Sequence, residues 1–217
     1  MHYAETVKAT YEHIMEKSKL LVEMKTTELE LPPTEDQYIV LNLTAQTLSS
    51  EKQNHDQDLE LTQVGIVRFI TVISEIVSGW GGTLIEANHH SVTATFPISE
   101  PDAGSYSCMC GLQIFNAITK IINPSLIRDG IDMSFQCGVG ISIGSVYGFQ
   151  TGLEVPLNSL YYGEAIESAV EYANMSSGSV IVDRLVKERF ERVSSDFKIN
   201  FLPYRHHEWV GYKMNVG

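Results

Sequence analysis

The order of hydrophobic patterns in the first two thirds of the chain constrains its fold more than any other feature. Five patterns follow one another: a strand from Tyr38, a helix over residues 67–79, a hairpin over 81–97, a helix over 108–122 and an alternating strand over 133–141. The second helix is expected to close at Asn123-Pro124. Strand, helix, hairpin, helix and strand in this order predict a ferredoxin-like α/β sandwich, in which helices cover one face of a mostly antiparallel sheet.

The alternating strands also predict which side chains form the core. Because successive side chains of a strand point to opposite faces, every second residue of the hairpin and of the later strand is expected to be buried. The residues expected to be buried are Val92, Ala94, Phe96, Phe135, Cys137 and Val139.

Shorter elements complete the chain. Gly163 opens a third predicted helix, and Val180–Val182 is a short buried strand. Asp183 is placed to cap the helix that follows, and two final strand-like segments cover residues 197–202 and 209–214.

The N-terminal part has a different composition and is predicted to be a separate segment. Residues 3–26 have the composition of a helix, and Leu31-Pro32-Pro33 ends it in a short stiff connector. We therefore expect an N-terminal helical segment and linker over residues 1–36 and a globular domain over residues 37–217.

Charge and composition exclude several functions. The 217 residues carry a net charge of −12, which argues against binding to a nucleic-acid backbone or an anionic membrane surface. No uninterrupted apolar run approaches the roughly 20 residues that span a bilayer, so membrane insertion is not expected. The three cysteines lie in apolar segments and are expected to be buried, reduced thiols of a cytoplasmic protein.

Four short segments carry a resemblance to a known family. They are Tyr38 to Leu48, Gly81 to Pro97, Gly140-Ile-Ser-Ile-Gly144 and Tyr162 to Glu171. In this order and spacing they resemble the catalytic domain of class III adenylate and guanylate cyclases over about residues 37–215. The resemblance implies the same α/β sandwich that the hydrophobic patterns predict. Because a helix before the catalytic domain often forms a signalling stalk in this family, the N-terminal helix could be part of such a stalk, or it could pack on its own domain.

The resemblance also identifies where catalytic metal ligands would be. Family members hold two metal ions with two aspartates, and the matching positions here are Thr44 and His90. Hard divalent ions need oxygen ligands, chiefly carboxylates, so a threonine hydroxyl is a weak ligand and an imidazole a poor one for magnesium. Asn88, His89 and Ser91 beside His90 are not carboxylates either, so shifting the alignment by one residue does not restore the site.

A second group of family positions is also changed in type. The asparagine and arginine that orient the nucleotide are matched by Glu167 and Glu171, which lie four residues apart and so on one helical face. The lysine that reads the base is matched by Glu86, and the other base-reading position is matched by Asn158. A glutamate in place of an arginine repels a triphosphate instead of attracting it.

These substitutions predict a degenerate cyclase-like domain without catalytic residues, bound metal or cofactor. Its expected role is structural or regulatory, through a homodimer, a heterodimer with another cyclase-like domain or a larger assembly, without nucleic acid. One alternative is that Glu86, Glu167 and Glu171 make a pocket that senses a cationic or hydroxylated small molecule. Another is a true cyclase with unusual metal ligands.

Two further motifs do not predict sites. The pairs His89-His90 and His206-His207 lack a third ligand at zinc spacing. The glycines of Gly138-Val-Gly140-Ile-Ser-Ile-Gly144 have the wrong spacing for a dinucleotide fingerprint, and they lie inside an alternating strand.

Overall fold

The strands and helices of the structure fall close to the predicted ones. The computed structural model describes residues 35–49, 57–150, 159–193 and 198–216. The predicted N-terminal helical segment lies outside the described residues, and so does Asn158. The described strands are β1 (Glu35–Leu48), β2 (Thr83–Ala87), β3 (Ser91–Pro97), β4 (Ser134–Gln150), β5 (Ser159–Tyr162), β6 (Val180–Val182), β7 (Ile199–His206) and β8 (Trp209–Val216). The described helices are α1 (Gln57–Gly79), α2 (Ala103–Ala117), α3 (Asn123–Arg128), α4 (Glu164–Met175) and α5 (Arg184–Val193).

The described strands form one eight-stranded sheet. Its order is β2-β3-β1-β4-β6-β8-β7, with β5 paired to the far end of β4. Neighbouring strands are antiparallel except β4 and β6, which are parallel. The order β2-β3-β1-β4, with α1 and α2 in the connections, is the ferredoxin-like arrangement that the pattern order predicts. The predicted fold class is therefore confirmed.

The main hydrophobic core lies between one face of this sheet and helices α1 and α2. Phe69 of α1 stacks on Phe135 of β4, with ring centroids 4.3 Å apart. All the side chains predicted to be buried are at most 3% exposed: Val92, Ala94, Phe96, Phe135, Cys137 and Val139. The period-2 pattern thus identifies the inward face of the sheet correctly.

The cysteines belong to this core and are chemically protected by it. All three are free and buried. Burial raises the pKa of Cys110 and Cys137 to about 12 and raises that of Cys108 as well. Because the thiolate is the reactive form, these side chains are inert at neutral pH.

Helices cover both faces of the sheet, so the prediction that they cover one face is wrong. Helix α4 packs on the second face, where Val40 and Ala169 belong to a separate buried cluster. It lies so close to β4 that a Cβ atom at Gly140 would collide with the backbone carbonyl oxygen of Ala169. The glycines on this face of β4 make room for the helix.

The second helix does not end at Asn123-Pro124 as predicted. Helix α2 continues through a π-helical segment, Ile118–Ile122, into α3. Pro124 lies at the start of α3, so the residue that lacks an N–H donor is placed where the helix changes from the π to the α hydrogen-bond pattern. The Asn123 side chain donates to the carbonyl oxygen of Phe135 and accepts from its amide, both at 2.9 Å, and so joins the helix to β4.

Helix α1 is, among the described residues, a helix long and apolar enough by length and composition to cross a membrane. The expectation that no apolar run could span a bilayer did not include this helix, because Arg68 interrupts its apolar residues. In this fold Phe69, Ile73 and Val77 of α1 are at most 1% exposed and belong to the main core. The inward row of α1 thus belongs to the core of this fold, while Val64 and Val67 on its outer side are 47% and 62% exposed.

Asp183 joins the sheet to α5, and the predicted helix cap is confirmed. Its Oδ1 accepts a hydrogen bond from the amide of Val186 at 2.7 Å. Its Oδ2 accepts from the Ser142 hydroxyl and from the amide of Ile143, both at 2.8 Å. Burial raises the pKa of this carboxyl group, although the hydrogen bonds oppose that shift. Asp183 is therefore a structural carboxylate.

Candidate functional site

Strand β1 and the β2–β3 hairpin bring the two candidate metal-ligand positions next to each other. Thr44 of β1 pairs with Ser91 of β3 in the antiparallel register. The amide of Ala45 donates to the carbonyl oxygen of His90 at 2.7 Å. Thr44 and His90 are therefore adjacent at one end of the β1–β3 ladder, although 46 residues separate them in sequence.

A hydrogen-bonded network of neutral side chains occupies this end of the ladder. The Thr44 hydroxyl donates to Oδ1 of Asn42 at 3.1 Å. Nδ2 of Asn42 donates to the hydroxyl of Ser91 at 3.1 Å and to that of Thr93 at 2.9 Å. Asn42 is fully buried, and alternation along β1 places it on the same face as Thr44. We call these four side chains the neutral network. It joins β1 to β3 without a formal charge.

Asn88 builds the hairpin turn that carries His90. Its Oδ1 accepts hydrogen bonds from the amides of His90 and Ser91, both at 2.8 Å, and its Nδ2 donates to Oε1 of Glu86 at 3.2 Å. An asparagine that satisfies backbone groups just after it in this way is a common turn device. The rings of His89 and His90 are exposed, with centroids 3.7 Å apart. The hydrogen bond from the backbone amide of His90 thus stabilises the turn, and the imidazole ring of His90 stays exposed.

The side chains at this end of the ladder do not fit a pair of divalent ions. Two-metal sites hold their ions about 3.5 to 4 Å apart, and the ligands they need are chiefly carboxylate oxygens. The neutral network offers hydroxyl and amide oxygens, and the amide oxygen of Asn42 already accepts a hydrogen bond from Thr44. Within the described ranges, no group of three or more His, Cys, Asp or Glu side chains is arranged to hold a metal ion. Glu86, four residues before His90, is exposed and bonded to Asn88.

Helix α4 presents Glu167 and Glu171 on its outward side. Both are exposed, as is Glu164 one turn earlier, while Ala165 and Ala169 face the sheet. Side chains three and four residues apart lie next to each other on a helix, so the three glutamates form one acidic row. The outward side of α4 is therefore negative where the cyclase resemblance implies an asparagine and an arginine.

Thr44 and His90 were identified from the sequence, but the other three members of the neutral network were not. These are Asn42, Ser91 and Thr93. Asn42 was an available signal, because a polar residue two positions before Thr44 interrupts an otherwise apolar strand. Ser91 and Thr93 looked like outward residues of the hairpin, yet Thr93 is only 2% exposed. The register between β1 and β3, which no local pattern specifies, brings these side chains together.

We predict that Asn42 contributes more to stability than its network partners. In Asn42→Ala the hydroxyl groups of Ser91 and Thr93 lose their donor and a cavity forms, so the free energy of unfolding should fall by about 2 to 3 kcal/mol. Thr44→Ala removes one bond from a half-buried position and should cost about 1 kcal/mol. Urea unfolding of both variants compares the two. An equal loss of unfolding free energy in the two variants would contradict the prediction that Asn42 contributes more than Thr44.

This chain is similar to known proteins in structure but matches none in sequence. No protein-family model and no curated protein sequence matches this chain. In structure it is similar to the guanylyl cyclase Cya2, with a TM-score of 0.64 and 16% identity over 84% of this chain and 95% of that one. It is also similar to the adenylyl cyclase CyaB from P. aeruginosa, with a TM-score of 0.65 and 13% identity over 85% of this chain and 97% of that one.

A third similar structure is a dimeric guanylyl cyclase domain of the RhoGC fusion protein from the aquatic fungus Blastocladiella emersonii. The TM-score is 0.60 at 13% identity, over 83% of this chain and 97% of that one. The chain therefore has the fold of class III adenylyl and guanylyl cyclase catalytic domains. At such low identities the similarity shows the fold, and any conclusion on chemistry has to come from the side chains of this chain.

Proposed function

We propose that this domain does not cyclise nucleoside triphosphates and acts by associating with a second cyclase-fold domain. The observation that carries the proposal is the neutral network of Asn42, Thr44, Ser91 and Thr93. It stands at the end of the β1–β3 ladder where the cyclase resemblance implies two aspartates.

Cyclisation needs charge at this place. The 3′ hydroxyl attacks the α-phosphorus, and two divalent ions stabilise the attacking and leaving oxygens. Two divalent ions 4 Å apart repel each other by about 4 kcal/mol even at the dielectric constant of bulk water. Carboxylates offset that repulsion, whereas the hydroxyl of Thr44 and the amide of Asn42 carry no formal charge. The chain itself therefore contributes little to holding the ions that the reaction requires.

The nucleotide side of the site is also unfavourable. Exposed Glu167 and Glu171 stand on α4 where the resemblance implies groups that orient the ribose and the phosphates. Two unit charges of like sign at 4 Å repel by about 1 kcal/mol in water and by more near a protein surface. The net charge of −12 adds a long-range repulsion for triphosphates. Both halves of a composite cyclase site thus disfavour their ligands.

The hairpin formed by β4 and β5 supports the association part of the proposal. Tyr161 and Tyr162 of β5 are 42% and 52% exposed, and Tyr162 stacks on Tyr147 of β4 with centroids 5.1 Å apart. Exposed tyrosines are enriched in protein interfaces. The guanylyl cyclase domain of RhoGC is known both as a monomer and as a non-canonical dimer, so a domain of this fold can exist in both states.

Sedimentation equilibrium tests the association. We expect a species of twice the 24.2 kDa chain mass, and we expect Tyr161→Ser to shift the equilibrium towards the monomer. Tyr106→Ser is a matched control, since Tyr106 is 40% exposed on α2, which packs on a different part of the fold. A chain that stays monomeric at every concentration, alone and mixed with another cyclase-fold domain, would contradict the association.

Neutralising the acidic row should improve nucleotide binding. We expect Glu167→Asn combined with Glu171→Arg to raise the affinity for ATP by about tenfold at low salt, because a change of three charge units removes repulsion and adds attraction. Calorimetric titration measures the change. Glu60→Asn with Glu75→Arg on α1 gives the same change in net charge on the other side of the sheet and should have a much smaller effect. Tight ATP binding by the unaltered chain would contradict the repulsion argument.

A further inference from the structure

A recess lies between the C-terminal turn of α1 and the outer side of α2. Its volume is about 440 Å³, and Glu75, Ile76, Gly79, Trp80 and Gln113 line it. Helices α1 and α2 pack on the face of the sheet opposite to α4. The recess is therefore separate from the acidic row and from the neutral network.

Two contacts hold the indole ring of Trp80 in place beside the recess. Its Nε1 donates to Oε1 of Gln113 at 2.6 Å. The ring of Tyr106 lies against it, with centroids 6.0 Å apart and planes inclined by 43°. An aromatic ring fixed at the wall of a recess offers a π face of negative potential.

The other groups around the recess are electronegative as well. Glu75 is exposed and lies one turn before the end of α1, and the last turn of α1 contains no basic residue. The C-terminus of a helix carries partial negative charge, which Glu75 reinforces. Gln113 presents the carbonyl oxygen of its amide, since that oxygen accepts the bond from Trp80. Carboxylate, amide oxygen and helix end are thus all suited to a positively charged hydrogen-bond donor.

We propose that this recess binds the ammonium group of a small alkylamine. The ammonium N–H groups would donate to the carboxylate of Glu75 and to the second lone pair of Gln113 Oε1. The methylene chain would lie on Ile76 and on the indole, where the cation also gains a cation–π contact. Gly79 lines the recess and has open space beside it, since a Cβ atom built there meets nothing within 4 Å.

The fluorescence of Trp80 gives a direct readout. The chain has two tryptophans, so Trp209→Phe leaves Trp80 as the sole one. Spermidine is the probe, titrated at constant ionic strength into this single-tryptophan chain and into three variants made in it. Glu75→Gln removes the charge, and Gly79→Leu fills the recess at a position that the fold tolerates. Glu167→Gln removes an exposed charge elsewhere and is the matched control.

We expect a saturable change in Trp80 emission that Gly79→Leu abolishes and Glu167→Gln leaves unchanged. Glu75→Gln should weaken binding at least about fivefold, which corresponds to the loss of one charge pair at 4 Å in water. An equal effect of Glu75→Gln and Glu167→Gln would overturn the proposal, because spermidine would then be a diffuse counterion. The absence of any emission change, or an unaltered one in Gly79→Leu, would overturn it too.

Discussion

Replacing Gly140 by alanine is expected to cost the domain about 3 kcal/mol or more of its stability. The new Cβ atom would collide with the carbonyl oxygen of Ala169 and come too close to the amide nitrogen of Ala173, both backbone atoms of α4. Strand β4 cannot move aside, because Gly140 pairs with Asn42 of β1 on one side and with Ile181 of β6 on the other. Helix α4 must therefore lift from the sheet. Overpacking of this kind costs about 1 to 3 kcal/mol where side chains can adjust and more where they cannot.

Gly144→Ala is the matched control for this prediction. Gly144 belongs to the same strand and the same face, but a Cβ atom there would lie 3.5 Å from the Cβ atom of Ala165, an ordinary contact. We expect this variant to change the free energy of unfolding by less than about 1 kcal/mol. Urea unfolding of both variants compares them directly. Similar losses in the two would contradict the direct packing of α4 on β4 at Gly140.

Introducing carboxylates at the two ligand positions should create affinity for divalent ions. A carboxylate 4 Å from a divalent ion gains about 2 kcal/mol even at the dielectric constant of bulk water, which is about thirtyfold in affinity. We therefore expect Thr44→Asp with His90→Asp to bind manganese about a thousandfold more tightly than the unaltered chain. Calorimetry with manganese measures this. Asparagine at both positions is the matched control, since it keeps the size of the side chains without the charge.

The same double variant should not cyclise ATP or GTP. The exposed Glu167 and Glu171 remain on α4, and a metal site alone does not orient the ribose or the phosphates. Two manganese ions bound to the unaltered chain beside Thr44 and His90 would contradict the account of the neutral network.

The succession of patterns predicted the fold because each pattern reports a local property. The alternation in β3 and β4 reflects which face of each strand is buried, so Val92, Phe96 and Cys137 could be assigned to the core from sequence. The place of α4 could not be assigned in this way. Most of the face of β4 beneath it is glycine and Ser142, with Val146 at its far end, so the face carries little apolar signal. The contact depends on the close approach of two backbones.

The candidate site was predicted in part for a similar reason. Thr44 and His90 could be located because the cyclase resemblance matches them to the two aspartates of the family. The hydrogen bonds of Asn42 to Ser91 and Thr93 join residues 49 and 51 positions apart in sequence. They depend on the exact pairing of β1 with β3, which a single sequence does not specify residue by residue. The recess beside Trp80 likewise forms only when α1 and α2 pack side by side.

A product assay shows directly whether this cyclase-fold domain cyclises nucleotides. The purified chain is incubated with ATP and with GTP, in magnesium and in manganese, and cyclic nucleotide is quantified beside an active cyclase such as CyaB from P. aeruginosa. We predict no cyclic AMP or cyclic GMP above the protein-free blank under any of the four conditions. Formation of either product by the chain, abolished by Thr44→Ala with His90→Ala, would contradict this prediction.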